Sequence, residues 1–233
     1  MAQPEWLATV NPDVLLNILH PTGTWLSVQA PPPPETTRRL RLFACACARM
    51  VWDFLPTDAR SAVLIRERFA EGRATEADVR ASAVRFAKGA EFSQLYAMNA
   101  AVADPSDAAR SAAKALASRA AGSAPPGRPT TPEWGTAWSA VYNAARTHQA
   151  ELVRDIFPPP GYAPRLEPDW RTSTVVALAQ QMDSSGDFSA VPILADAIQD
   201  AGCYDEVMLD RCRARSQVHC RGNWVVDLVL GRE

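Results

Sequence analysis

The sequence predicts an all-α protein, a compact multi-helix bundle or short helical-pair stack of about nine or ten helices. Three observations carry that expectation. Apolar residues recur at three- and four-residue steps in one segment after another. Those segments open on Asn-Pro, Asp-Pro, Thr-Pro or Thr-x-x-Asp and several close on Gly, the residue chemistry of helix starts and stops. No segment alternates apolar and polar residues between hairpin turns, as strands would.

Taken in order, Asn11-Pro12 starts a short helix whose apolar face is Val14, Leu15, Ile18 and Leu19, and His20-Pro21 ends it. Trp6 packs against this unit. Pro31 to Pro34 is a stiff polyproline connector, after which Thr36 or Thr37 caps a helix from Arg38 to Phe54. Its wide apolar face, including Leu40, Leu42, Phe43, Cys45, Cys47, Met50 and Val51, is that of a buried helix. Ala59 to Glu71 follows, with Val63, Leu64, Ile65 and Phe69 inward and Gly72 as its stop. Thr75-Glu76-Ala77-Asp78 is a capping-box start to an alanine-rich helix reaching Val102 through Phe86, Leu95 and Met98. Asp104-Pro105 opens the next, which runs to Ala121. Thr131-Pro132-Glu133 opens another that carries Trp134 and Trp138 four residues apart, a pair expected in the core. A second proline-rich crossing, 157–169, precedes a helix capped by Thr172 or Ser173. Short helices over 193–201, 205–212 and 224–230 close the chain. The loop Ser123 to Thr130 divides the expected organisation into an N-terminal helical part (1–122), a Pro/Gly-rich loop (123–131) and a C-terminal helical part (132–233), packed as one unit.

Composition narrows the function classes. A hydrophobic content of 47% with 21% charged residues is that of a folded globular chain. A net charge of -2 excludes a generally basic nucleic-acid binder. No run approaches the ~18–20 apolar residues that span a bilayer, so no membrane partner is expected. Five cysteines, an odd number behind an N-terminus without signal-peptide character, point to reduced thiols and a cytoplasmic protein. Lysine occurs only at Lys88 and Lys114, a bias toward arginine that fits GC-rich coding.

The unusual residues gather in Val191 to Glu233. Cys203, Cys212, His219 and Cys220 are four borderline or soft ligands, enough in number for tetrahedral zinc, although no C-x2-C knuckle is present. Free cysteines are more often buried, so buried thiols are the expected state and zinc the alternative. Cys212 stands between Arg211 and Arg213, and Cys220 between His219 and Arg221, settings that favour a thiolate, yet no catalytic signature surrounds either. Arg211, Arg213, Arg215 and Arg221 form a cluster that would grip phosphate, nucleic acid or an acidic partner, unless Asp205, Glu206 and Asp210 neutralise it. Arg38, Arg39 and Arg41 form another. His219, Arg221, Gly222, Trp224 and Asp227 also read as a structural lock: a buried Arg–Asp pair under a Trp lid, with Gly222 permitting the turn.

Several blocks carry a resemblance: LRLFACAC (40–47), RDIF (154–157), LEPDWRTSTVVALA (166–179), and VPILADAIQDAGC followed by HCRGNWVVDLVLGRE. They resemble an uncharacterised helical family of planctomycete-type bacterial genomes, some members of which carry short repeat-companion segments. The family pattern His-x-Arg-Gly-Cys-Trp is met by His219, Arg221, Gly222 and Trp224, while Asn223 stands where the pattern places cysteine. That departure argues against an obligatory thiol at the position. The resemblance implies a shared fold and no particular activity. The expected function is a non-enzymatic interaction or accessory module without a cofactor, its partner another protein. The alternatives are a zinc- or thiol-dependent site and a nucleic-acid or phosphate-binding accessory of bacterial defence.

Overall fold

Helix caps explain most of the architecture in the computed structural model, which describes residues 3–19, 33–82, 97, 104–122, 131–214, 216 and 218–232. Among these residues there are eleven α-helices and no strand. They fall into two compact units, Met1–Ala8 with Glu151–Glu233 and Thr9–Ala150. The expected loop 123–131 lies outside the described residues except for Thr131, as do His20, Arg215 and, apart from Ala97, the stretch from 83 to Val102 expected to be helical.

The unit Thr9–Ala150 holds α2 (Pro12–Leu19), α3 (Pro34–Arg49), α4 (Thr57–Ala70), α5 (Glu76–Ala81), α6 (Pro105–Ala121) and most of α7 (Pro132–Ile156). Asn11 caps α2 by accepting from Asp13 N at 3.0 Å. Thr75 and Asp78 complete a capping box, Asp104 caps α6 at Asp107 N (3.0 Å), and Thr131 Oγ1 accepts from Trp134 N (3.2 Å). α3 packs on α4 and α6. On α6, Ala108, Ala109, Ala112 and Ala113 are fully buried, small side chains that permit the close approach. Buried charge is paired: Glu67 takes a bidentate contact from Arg49, and Arg146 donates to Asp13 Oδ2 (2.6 Å) and Gln149 Oε1 (3.1 Å).

Three expectations in this unit are corrected. α3 begins at Pro34, because a proline whose missing N–H is no loss fits the first turn. Thr37 is therefore inside the helix, its hydroxyl bonded back to Pro33 O, and α3 stops at Arg49 before a 3₁₀ turn, Trp52–Phe54. Leu64 is 44% exposed, since the inward face of α4 is Ala59, Ala62, Val63, Glu67 and Ala70. Trp134, Trp138 and Tyr142 form a half-exposed ladder on α7 with ring centroids 6.3 and 4.8 Å apart. The rings stack on one another and the indole N–H groups bond Gly122 O and Ser118 Oγ, which fixes the ladder at the surface and not in the core.

The other unit holds α1 (Gln3–Ala8), the last turns of α7, α8 (Ser173–Ser185), α9 (Val191–Asp200), α10 (Glu206–Cys212) and α11 (Trp224–Leu230). Thr172 caps α8 and Asp205 caps α10. α8 packs on α9 and α11, and α9 on α10. Val175, Met182, Leu194, Ile198, Met208 and Trp224 are central to the core they enclose. No described helix of either unit is long and apolar enough to cross a membrane.

Candidate functional site

The site is built around a carboxylate. Asp155, in the last turn of α7, is fully buried. Its Oδ1 accepts from His219 Nδ1 at 2.8 Å and from Asn223 Nδ2 at 2.6 Å, and its Oδ2 from Cys220 N at 2.9 Å. Arg211 Nε lies 3.7 Å from Oδ1. Magnitudes show why so many donors converge. Withdrawing each ion from water costs several kcal/mol, while one cation near 4 Å returns only ~4 kcal/mol at an effective dielectric near 20. Hydrogen bonds to the carboxylate supply the balance, at about 1.5–3 kcal/mol each.

Local sequence explains how the donors arrive. The turn 220–223 is closed by Asn223 N on Cys220 O (3.0 Å), with Gly222 at φ +90°, a left-handed position that favours glycine. The turn delivers Asn223 as the cap of α11. Asn223 Oδ1 accepts from Val225 N (3.1 Å) and Val226 N (3.0 Å) while its Nδ2 serves Asp155. A carboxylate only accepts, so the proton of His219 sits on Nδ1. Nε2 is buried and has no hydrogen-bond partner among the described residues. An aspartate-oriented histidine is half of a general-base arrangement, but such a base needs a proton donor within reach.

A cleft of about 270 Å³ opens in the same unit, its lining including Trp6, Leu7, Arg154, Val207, Arg211 and Trp224. Arg154 shapes it by donating through Nε (2.9 Å) and Nη2 (2.7 Å) to Trp6 O, holding the C-terminal end of α1, and by pairing through Nη1 with Glu151 Oε1 (2.7 Å). Burial lowers the Arg154 pKa, and Glu151 opposes that shift. Trp224 is buried, its indole N–H has no hydrogen-bond partner among the described residues, and its ring meets Tyr162 edge-on at 5.7 Å. The Tyr162 hydroxyl donates to Asp205, and burial is the main reason its pKa is raised.

The residues expected to carry chemistry separate into three groups. First, Cys203, Cys212, His219 and Cys220 do not converge: among the described residues no group of three or more His, Cys, Asp and Glu stands at metal-binding geometry. Cys203 and Cys212 are core side chains and His219 Nδ1 is committed to Asp155. The flanking arginines do not activate Cys212, because burial dominates and raises its pKa. Second, the described arginines Arg211, Arg213 and Arg221 pair with acids other than Asp205, Glu206 and Asp210. Arg211 reaches Glu151 (3.3 Å), Arg213 binds Asp196 and Gln199, and Arg221 binds Asp183. Third, Arg221 of the expected lock pairs with another acid. Arg221 Nη1 and Nη2 take Asp183 Oδ1 (2.7 Å) and the Asp183 carbonyl (2.8 Å), and Arg232 takes the same carboxylate, whereas Asp227 lies 4.0 Å from Arg232. The Gly222 turn separates Arg221 from α11 and leaves it over Gly186, where α8 ends.

Sequence reasoning missed Asp155, Asn223 and the Arg154 clamp. One signal was there: Asp155 is a charge in an apolar stripe, between Leu152, Val153 and Ile156. No protein-family model matches this chain, and no curated protein or solved structure matches it.

The cysteines give a direct check. Cys45 is raised from 9.0 to about 12, burial first and Glu67 second, and Cys47, Cys203 and Cys212 are also raised, chiefly by burial. Only Cys220 is half-exposed, so it alone should react promptly with a thiol reagent at neutral pH, the other four after denaturant. A folded pKa above the unfolded value stabilises while the thiol stays protonated. That contribution is complete below about pH 9 and lost as pH rises toward 12. The urea midpoint should fall across that window; prompt labelling of Cys203 or Cys212 in the folded protein would show that their core is not closed.

Proposed function

We propose that this chain is a non-enzymatic helical module that binds another protein, receiving an apolar side chain of the partner in the cleft beside Trp6 and Trp224. The observation that carries the reading is the cleft itself. Leu7 and Val207 contribute to its lining, and Leu7 is 62% exposed although it is a large apolar residue. At about 270 Å³ it falls just below the ~300 Å³ at which small-molecule sites begin, a size suited to one or two side chains. Two further features support a binding role over chemistry: raised thiol pKa values and internally paired arginines. Membership of the planctomycete-type helical family, a cytoplasmic location and independence of a cofactor belong to the same proposal.

Panning a displayed peptide library against the purified protein tests it. Selected peptides should share one large apolar residue, and Leu7→Asp should weaken them about tenfold, the ~1.4 kcal/mol expected from partial loss of one buried side chain. Leu7 is exposed enough for the variant to keep its fold, which circular dichroism verifies. Failure to enrich peptides, or binding indifferent to Leu7→Asp, would sink the proposal.

A further inference from the structure

In the unit Met1–Ala8 with Glu151–Glu233, Arg154, Arg211, Arg213, Arg221 and Arg232 each hold a carboxylate. Among the described residues Arg165 and Arg171 hold none, and both line one open groove of about 520 Å³ with Leu166, Glu167, Leu228 and Gly231. Arg165 is exposed and has no partner among the described residues. Arg171 donates through Nε to Val229 O at 2.9 Å, which fixes its guanidinium on the last turn of α11 and leaves both terminal nitrogens unengaged among the described residues. A tethered fork loses less freedom when it takes up an anion than a loose side chain does.

We propose that this groove receives an extended acidic segment of a partner protein, its carboxylates taken by Arg165 and Arg171 and a neighbouring apolar side chain by the half-buried Leu166. The groove's own charges select the ligand. Glu167 and the carbonyl end of α11 place negative charge beside the arginines, which penalises a phosphate dianion more than a carboxylate. An apolar side chain, Leu166, lining the groove together with the two cations fits a segment that carries both acidic and apolar residues. The groove is distinct from the cleft proposed above and stands without it.

A nuclear magnetic resonance titration with a short peptide alternating Glu and Leu tests the groove, read on the arginine Nε–Hε signals. The Arg165 and Arg171 signals should shift to saturation while those of Arg154 and Arg211 stay put. A peptide with Gln for Glu should shift neither. Arg165→Glu, a change at an exposed side chain, should weaken the peptide about tenfold, added salt should weaken it further, and Leu7→Asp should leave it unchanged. Unmoved signals, an unchanged affinity in Arg165→Glu, or equal shifts with inorganic phosphate at matched ionic strength would each overturn the proposal, the last in favour of a phosphate site.

Discussion

Replacing Asp155 with alanine should cost about 3–5 kcal/mol of stability, the range seen when one partner of a buried ion pair is removed. The loss has identifiable parts. His219 Nδ1, Cys220 N and Asn223 Nδ2 would each keep a donor without its acceptor, and Arg211 would lose its neighbour at 3.7 Å. A buried unsatisfied donor costs ~1–3 kcal/mol, so the three donors alone are enough to account for the predicted total. Asp155→Asn should recover only part of it. The amide keeps one acceptor oxygen, but its NH₂ would face groups that are themselves donors. Urea unfolding followed by circular dichroism reads both variants. A loss under about 1 kcal/mol for Asp155→Ala would mean the donors find other acceptors, and Asp155 would not be the hub that joins α7 to the 219–223 turn.

What the sequence disclosed is mostly short-range chemistry. Thr75 with Asp78, Asp104, Thr172 and Asp205 sit at their helix starts as expected, because a cap acts within three residues and needs no tertiary information. The all-α class followed from the same local signals. Pairing across the fold was less legible. Arg221 was expected to serve the last helix and grips Asp183 of α8, thirty-eight positions away. No spacing rule reaches that far. The stack Trp134, Trp138 and Tyr142 misled for another reason: shared helical face predicts that rings meet, not whether that face is covered. In the sequence Asn223 stands out only as a departure from the cysteine of the resembled pattern. Its local role was readable, since Asn before an apolar run is a helix-start signal, but its second partner lies sixty-eight residues back in the chain.

That second partner can be isolated by Asn223→Asp. Judged by the helix alone, the change should be harmless: aspartate caps as well as asparagine, and negative charge at an N-terminus is favourable by about 0.3–1 kcal/mol. Judged by Asp155 it should be severe. A donor 2.6 Å from a buried carboxylate becomes a second carboxylate, removing a charge-assisted bond of ~1.5–3 kcal/mol and adding like-charge repulsion where water is excluded. The net expectation is a loss of about 3 kcal/mol or more at neutral pH. Asn223→Ala forfeits both cap and bond but introduces no charge, and should lose less. The ordering is therefore wild type, then Asn223→Ala, then Asn223→Asp, the reverse of what capping predicts for the two variants. Equal stability of Asn223→Asp and wild type in urea would assign Asn223 to helix capping alone. The predicted order would establish that the cap and the hub are one device, with a single amide tying the start of α11 to the end of α7.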